Sequence, residues 1–343
     1  MSWRLRITRR ATVALVCAGL VACGGSNEPG PSARETYVIK FPHVVAASTP
    51  KGQAAQRFKE LAESRFPGRV KVEVYPSAQL MDDSDALEAL AFGEIQMIAA
   101  AASLFDRLTP KFQLFDLPFL FPDIESVERF QRSPEGQTLL TTLTDQGILG
   151  LAWWHNGMKH LTARKPLRVP SDAAGVKFRI MESDVLQAQV LAFGGSPQKM
   201  AFSEVYQALQ TGTVDAQENS WSNTYASKLY EVQPYAMDTN HGYIGYFVAV
   251  NRDFWQALPA DLREGLEEII AEITVWVNER AAEFQAEDRQ KVIDSGRTEV
   301  IELTPEEIAE WRAVMRPVWE QFRDAIGADL IEAAERSVNA TGQ

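Results

Sequence analysis

The residues of this sequence whose types and spacing suit action on a small molecule are cationic. In Gly175-Val176-Lys177-Phe178-Arg179-Ile180, apolar residues alternate with basic ones at the period of a strand, which puts Lys177 and Arg179 on one face. On an ordinary surface strand such a face is solvated; turned towards a cleft, it attracts anions. The segment leads through a glycine-rich turn to Met200-Ala201-Phe202-Ser203-Glu204-Val205-Tyr206-Gln207-Ala208-Leu209-Gln210-Thr211-Gly212 and on to Val214-Asp215-Ala216-Gln217-Glu218-Asn219. Catalytic spacings do not occur: there is no Gly-x-Ser-x-Gly elbow, Walker loop, His-Glu-x-x-His pair or dinucleotide glycine fingerprint. The reading is therefore not an enzyme, and no cofactor is implied. Asp82-Asp83 stands just before a helical stretch, where acids offset the macrodipole. Four histidines are too scattered for a zinc site, so no metal is expected.

These segments need a scaffold, and the composition sets its class. The chain has 343 residues, 45% apolar and 23% charged, which is globular and long enough for two lobes. Its 34 basic and 46 acidic residues give a net charge of minus 12, which argues against nucleic acid as a partner. Arg4, Arg6, Arg9 and Arg10 precede an uncharged run over residues 11–22, shorter than the roughly 20 residues a spanning helix needs. Residues 1–22 therefore read as a signal peptide. The adjacent Arg9-Arg10 also hints at twin-arginine export. Leu20-Val21-Ala22-Cys23 resembles a bacterial lipobox, making Cys23 the expected lipid anchor, against an ordinary secretory cleavage nearby. Residues 23–35, with Pro29, Gly30 and Pro31, read as a tether. The only cysteines are Cys17 and Cys23, so the body has no disulfide framework. Export without disulfides points to a periplasm.

From residue 36, period two alternates with period 3.6. Residues 37–41 are an expected strand, 52–65 a helix, and Val70, Val72 and Val74 the inward side of a second strand. Residues 84–92 are a helix capped by Ser84 and ended by Gly93, and 95–101 a buried strand. After a Phe- and Pro-rich stretch and the Trp153-Trp154 pair, the pattern repeats: strand 176–180, helix 183–193, extended 198–202, helix 204–211 with Ser203 as N-cap and Gly212 as left-handed cap, and strand 214–217. Residues 243–250 are an apolar strand that returns to the first lobe, so crossings form a hinge. Leu262, Leu266, Ile269, Ile270, Ile273 and Val277 continue from an Asp261/Glu264 capping start towards Arg289, a single helix able to touch both lobes. Residues 305–338 are an amphipathic helical tail.

The expected fold class is α/β: a two-lobed, type II-like periplasmic-binding-protein fold with two doubly wound βαβαβ lobes. Lobe I takes residues 36–156 and 245–284; lobe II takes 157–244 and 285–338 with the C-terminal helices. In such folds, ligands bind at the carboxyl ends of parallel strands and the cleft closes by hinge motion.

Residues 37–328 resemble the solute-binding subunits of TRAP transporters, the tripartite ATP-independent periplasmic systems. Phe115-Asp116-Leu117-Pro118-Phe119-Leu120-Phe121 is similar to that family's first-lobe signature, and residues 37–52 with 201–212 resemble its DctP-type group. The resemblance implies a receptor for malate, succinate or fumarate that delivers its ligand to membrane permease subunits. Alternatives are a monocarboxylate, a 2-oxoacid or a sugar acid, or a receptor feeding a sensor kinase. It also implies that Arg179 pairs with the ligand carboxylate, that Asn219 donates to the same group, and that Phe202 packs over the carbon chain. Lys159 stands where many relatives have arginine and would hold a second carboxylate by charge. Lys51 and His43, in first-lobe segments matching the dicarboxylate group, are candidates for the distal carboxylate. Ala216, Ser220 and Met181-Glu182 depart from the pattern, and Glu182 would repel a dianion.

Overall fold

The computed structural model describes residues 36–339; the segments read as a signal peptide and a tether, with Cys23, lie outside the described residues. Alternation in Tyr37–Pro42 (β1) turns Ile39 and Phe41 inward. Thr49 caps the helix Pro50–Arg65 (α1) by accepting from the Gly52 amide, and Pro50 opens it with its φ already set. Gly52 is required there, because a Cβ would lie 2.4 Å from the Ala46 carbonyl oxygen. Val70–Tyr75 (β2) returns parallel to β1. The next helix is Asp83–Ala91 (α2), with Asp82 rather than Ser84 at its N-cap, and Gly93 beyond it takes a φ of 79°. Met97–Ala101 (β3) is buried throughout.

Ile124–Arg132 (α3) and Pro134–Leu139 (α4) precede a strand of 16 residues, Ile148–Ala163 (β4). Alternation does not announce β4, because it is buried on both faces over most of its length. Lys177–Ile180 (β5), Asp184–Ala192 (α5), Ser196–Lys199 (β6), Val205–Thr211 (α6) and Ala216–Asn219 (β7) follow in the expected order. Ser203 is not the α6 cap: a 3-10 turn, Phe202–Glu204, runs straight into the helix, so the chain is already wound at Ser203. Phe202 lies on that turn rather than on an extended segment. Gly212 closes α6 with a φ of 77°. Trp221–Ala226 (α7) leads to Tyr235–Asn251 (β8). Arg252–Ala257 (α8), Ala260–Glu279 (α9), Ala281–Asp294 (α10), Glu299–Ile301 (β9), Pro305–Met315 (α11), Val318–Ile326 (α12) and Ala328–Asn339 (α13) follow.

The fold is a two-lobed α/β architecture whose larger sheet runs β3-β8-β4-β7-β5-β6, with β9 beside β8. Its spine is the antiparallel pair β4 and β8, in which Ile148 faces Asn251 at one end and Ala163 faces Tyr235 at the other. β3 flanks the first end and β7 the second, so both long strands belong to both lobes and are the crossings. Register shifts at Gly150/Ala152, His155/Gly157 and Lys159/Leu161 interrupt the ladder there. The parallel units are present as β1-α1-β2 and β5-α5-β6, with β7 parallel to β5. The second lobe thus has its three parallel strands, β6-β5-β7, and β7 then pairs antiparallel with β4; in the first lobe β3 pairs antiparallel with β8 and β1-β2 form a separate two-stranded sheet. The physical reason is directional: the chain leaves the first lobe along β4 and returns along β8.

The helix expected to reach Arg289 without interruption breaks at Arg280, whose φ of −96° and ψ of −3° depart from helical values. Its N-cap position is Pro259, which places Asp261 and Glu264 inside the first turns. The apolar stripe from Leu262 to Val277 is fully buried and packs on α1 and β4, while α10 packs on α7. At the joint, Asn278 accepts from the His155 amide at 2.8 Å and donates to the Trp153 carbonyl at 2.9 Å. The Gln285 amide nitrogen donates to the Asn156 carbonyl and Ser222 Oγ, and its oxygen accepts from the Trp221 amide. The helical tail divides. Trp311 of α11 joins Phe178 and Phe193 in the second-lobe core, whereas α12 and α13 cover Phe115 and Phe130 of the first. Pro317 and Gly327 mark the breaks.

Candidate functional site

A cavity of about 100 Å³ opens between the lobes, lined by Lys51 and Asp83 from the first, Arg179, Phe202 and Asn219 from the second, and Tyr246 from β8. Arg179 sits in the middle of β5, whose neighbours Phe178 and Ile180 point into the second-lobe core. Its Nε and Nη2 both donate to the Met200 carbonyl oxygen, at 3.0 and 2.8 Å, which fixes the plane of the guanidinium. The group lies 5.7 Å from the Phe202 ring centroid and is only 3% exposed. No carboxylate among the described residues forms an ion pair with it. Burial lowers its pKa to about 10, against the pull of Glu218, Asp83, Glu182 and Glu204. A buried cation without a counter-ion is costly, and an arriving anion relieves that cost.

Lys51 is a second such cation. From the first turn of α1 its Nζ donates to the Ala99 carbonyl oxygen at 2.9 Å, without an ion pair among the described residues. Burial lowers its pKa to about 8, although Asp83 opposes the shift.

Donors for a polar ligand surround the two cations. Asn219 Oδ1 accepts from the Ser220 amide at 3.1 Å and Asn223 Nδ2 at 2.8 Å, which leaves the Asn219 amide nitrogen as the end able to donate. The Tyr246 oxygen accepts from Asn156 Nδ2 at 2.6 Å and Asn223 Nδ2 at 3.5 Å, so its own proton is available. Burial pushes that hydroxyl up to about 12 and keeps it protonated. Glu182 also lines the cavity, and Arg107 partly offsets it at 3.3 Å.

Lys159 is not part of the lining. Its Nζ is buried 2.7 Å from Glu218 Oε1 and 3.6 Å from Asp116 Oδ1, and the second Glu218 oxygen contacts His241 Nε2 at 2.8 Å. Burial alone would raise the Glu218 carboxyl, but Lys159 and His241 hold it well below the usual range. Lys159 itself is raised by Glu218 and Asp116 against burial. This network ties β4, β7, β8 and the Phe115-Asp116-Leu117-Pro118 signature together, so the lysine ammonium is already engaged by protein carboxylates. His43 lies elsewhere too. It is buried, lines a separate groove with Gln53, Arg57 and Trp276, and neither ring nitrogen has a partner among the described residues. Burial, and secondarily Lys51, lower its pKa to about 3, so the ring is neutral.

The structure thus brings Arg179, Asn219, Phe202 and Lys51 to one cavity and leaves Lys159 and His43 outside it. Sequence reasoning missed Tyr246, Asn223 and Asp83. Asn223 carries a visible signal, one helical turn after Asn219, while Tyr246 is hidden within an apolar strand.

The model of the bacterial extracellular solute-binding proteins of family 7 matches residues 41–325. The chain is 50% identical over 299 residues to the C4-dicarboxylate-binding periplasmic protein DctP of Shewanella loihica, covering 87% of this chain and 89% of that relative. A crystal structure of a TRAP periplasmic solute-binding protein from Shewanella oneidensis with bound succinate matches with a TM-score of 0.87 and 48% identity, over 88% of this chain and 99% of the other. One from Pseudomonas aeruginosa with bound L-malate matches at 0.81 and 43%, over 83% and 99%. With similarity extending along nearly the whole described chain, the protein belongs to family 7 of the bacterial extracellular solute-binding proteins, the DctP-type receptors of TRAP transporters.

Proposed function

We propose that this protein captures a four-carbon dicarboxylate, succinate, malate or fumarate, between its lobes in the periplasm and hands it to the membrane permease subunits of a TRAP transporter, without catalysing a reaction. The observation that carries the reading is that two buried cations, Arg179 and Lys51, line one cavity from opposite lobes, and neither is held in an ion pair among the described residues, Asp83 acting on both only from a distance. A dianion with carboxylates at both ends pairs with both, and only a closed arrangement of the lobes lets it do so. Asn219 and Tyr246 supply neutral donors, and Phe202 covers the carbon chain. The ligand has about eight heavy atoms, so at roughly 1.5 kcal/mol per atom the ceiling is about 12 kcal/mol, and micromolar binding at about 8 kcal/mol lies within it. The relatives that bind C4-dicarboxylates, succinate and L-malate support the ligand class.

The deciding experiment is thermal stability against succinate, malate, fumarate, lactate, pyruvate and uronates. A ligand at 100 times its Kd adds roughly 2.7 kcal/mol. Stabilisation by the four-carbon dicarboxylates is the expected result, and stabilisation by monocarboxylates or sugar acids instead refutes the ligand class. Cys23 is proposed as the lipid anchor, and the intact mass of the membrane fraction tests it.

A further inference from the structure

An acid in the cavity wall is not used by anion binding as described so far. Asp83 is the first residue of α2, half-buried, and its carboxylate makes no hydrogen bond or ion pair among the described residues. The groups facing it are Lys51 from α1, Arg179 from β5, Glu182 beyond β5, the Tyr246 hydroxyl from β8 and its neighbour Asp82. Glu182 has Arg107 as a partner. Asp83 has only Lys51 and Arg179 nearby, the same two cations that the ligand carboxylates require. With the dianion bound, Asp83 and a ligand carboxylate compete for those charges in a small cavity, and carboxylates that share a desolvated site do not all remain ionised.

We propose that Asp83 enters the ligand complex as a carboxylic acid: as the dicarboxylate binds, one Asp83 oxygen takes a proton from solvent, and the resulting O–H donates to a ligand carboxylate oxygen. The inference rests on the dicarboxylate reading. No bond other than O–H forms and no electron moves, so each ligand bound removes one proton from the buffer. The free protein is already biased this way: burial holds the Asp83 carboxyl above the ordinary carboxylate range, with Lys51 opposing and Asp82 reinforcing. Asp83 then does more than tolerate the ligand. As an acid it discriminates for an acceptor oxygen at that end, and it makes capture tighter in more acidic surroundings.

The test is calorimetric titration with succinate and L-malate at about pH 7, where Lys51 is already protonated, in two buffers of different ionisation enthalpy. After correction for the ligand's own titration, the wild-type protein takes up close to one proton per ligand, and affinity falls by up to about tenfold per pH unit above that point. D83N, which carries a permanently neutral donor, takes up no proton on binding, and its affinity loses the part of the pH dependence that Asp83 supplies. Binding without proton uptake in the wild type overturns the proposal even if the variant does not fold. Undiminished uptake in D83N overturns it as well, by placing the proton elsewhere, and so does a hundredfold loss of affinity in D83N, which would mean that the ionised carboxylate is needed. If none of succinate, L-malate and fumarate binds, by calorimetry or by thermal shift, the dicarboxylate reading is refuted and this inference falls with it.

Discussion

The Lys51 ammonium lies 4.0 Å above the centroid of the Tyr246 ring. The contact joins the first turn of α1 to a crossing strand, and it replaces a carboxylate with the face of an aromatic ring as the partner of a buried cation. Such a partner stabilises the charge less than an ion pair does, and this leaves the ammonium available to an incoming anion.

Lys51 gives stability and affinity opposite dependences on pH. Its pKa falls from 10.5 to about 8 on folding, so between about pH 8 and 10.5 the unfolded chain holds more protons than the folded one. The unliganded protein therefore gains stability as pH rises through that window. Ligand binding needs the ammonium, so affinity declines over the same range. Denaturant midpoints and Kd values measured across the window check both slopes; K51M flattens the stability slope and removes only the Lys51 share of the affinity slope, leaving the share assigned to Asp83.

R179A removes an unpaired buried charge from the free protein and the planar fork from the complex. The expected result is an unliganded Tm that is unchanged or higher, together with a loss of at least about a hundredfold in carboxylate affinity, as when one partner of a buried charge pair is truncated. R179K keeps the charge and loses the fork, so it falls between the two. Paired melting and binding measurements separate these effects.

At Gly157 an added Cβ would lie 2.5 Å from Gln285 Cδ. G157A therefore displaces the side chain that fastens α10 to Asn156, Ser222 and Trp221. A destabilisation of about 1–3 kcal/mol is expected from crowding and broken hydrogen bonds, and urea unfolding measures it. Q285A makes room for the methyl group, so the double substitution costs less than the sum of the two single ones.

The strand bearing Arg179 is legible in the sequence because period two survives there, with Phe178 and Ile180 in the core and the basic positions opposite. Gly212 is legible for a similar local reason, since a left-handed cap needs no distant contact. The engagement of Lys159 is not legible, because its partner Glu218 is 59 residues away and meets it only through the ladder of β4 with β7. Without that register Lys159 looks like a solvent-facing cation, although it is buried, and His43 in its loop after β1 likewise gives no local sign of burial. β4 itself is concealed for the same reason: His155, Asn156, Lys159 and His160 are polar and buried, so composition marks them as surface while pairing makes them interior. Asp83 stands at a helix start, where an acid has a local stabilising role, so the sequence gives no sign of its place in the cavity wall.

Because β4 and β8 each run through both lobes, and their paired ends are up to about a hundred residues apart along the chain, neither lobe is an autonomous folding unit. The first lobe lacks a central strand until Asn251 has been synthesised, and the second lacks the same one. Neither lobe can therefore complete its sheet before residues 235–251 are made, about three-quarters of the way along the chain, so the pairing that joins the lobes is also the step on which the folding of each depends.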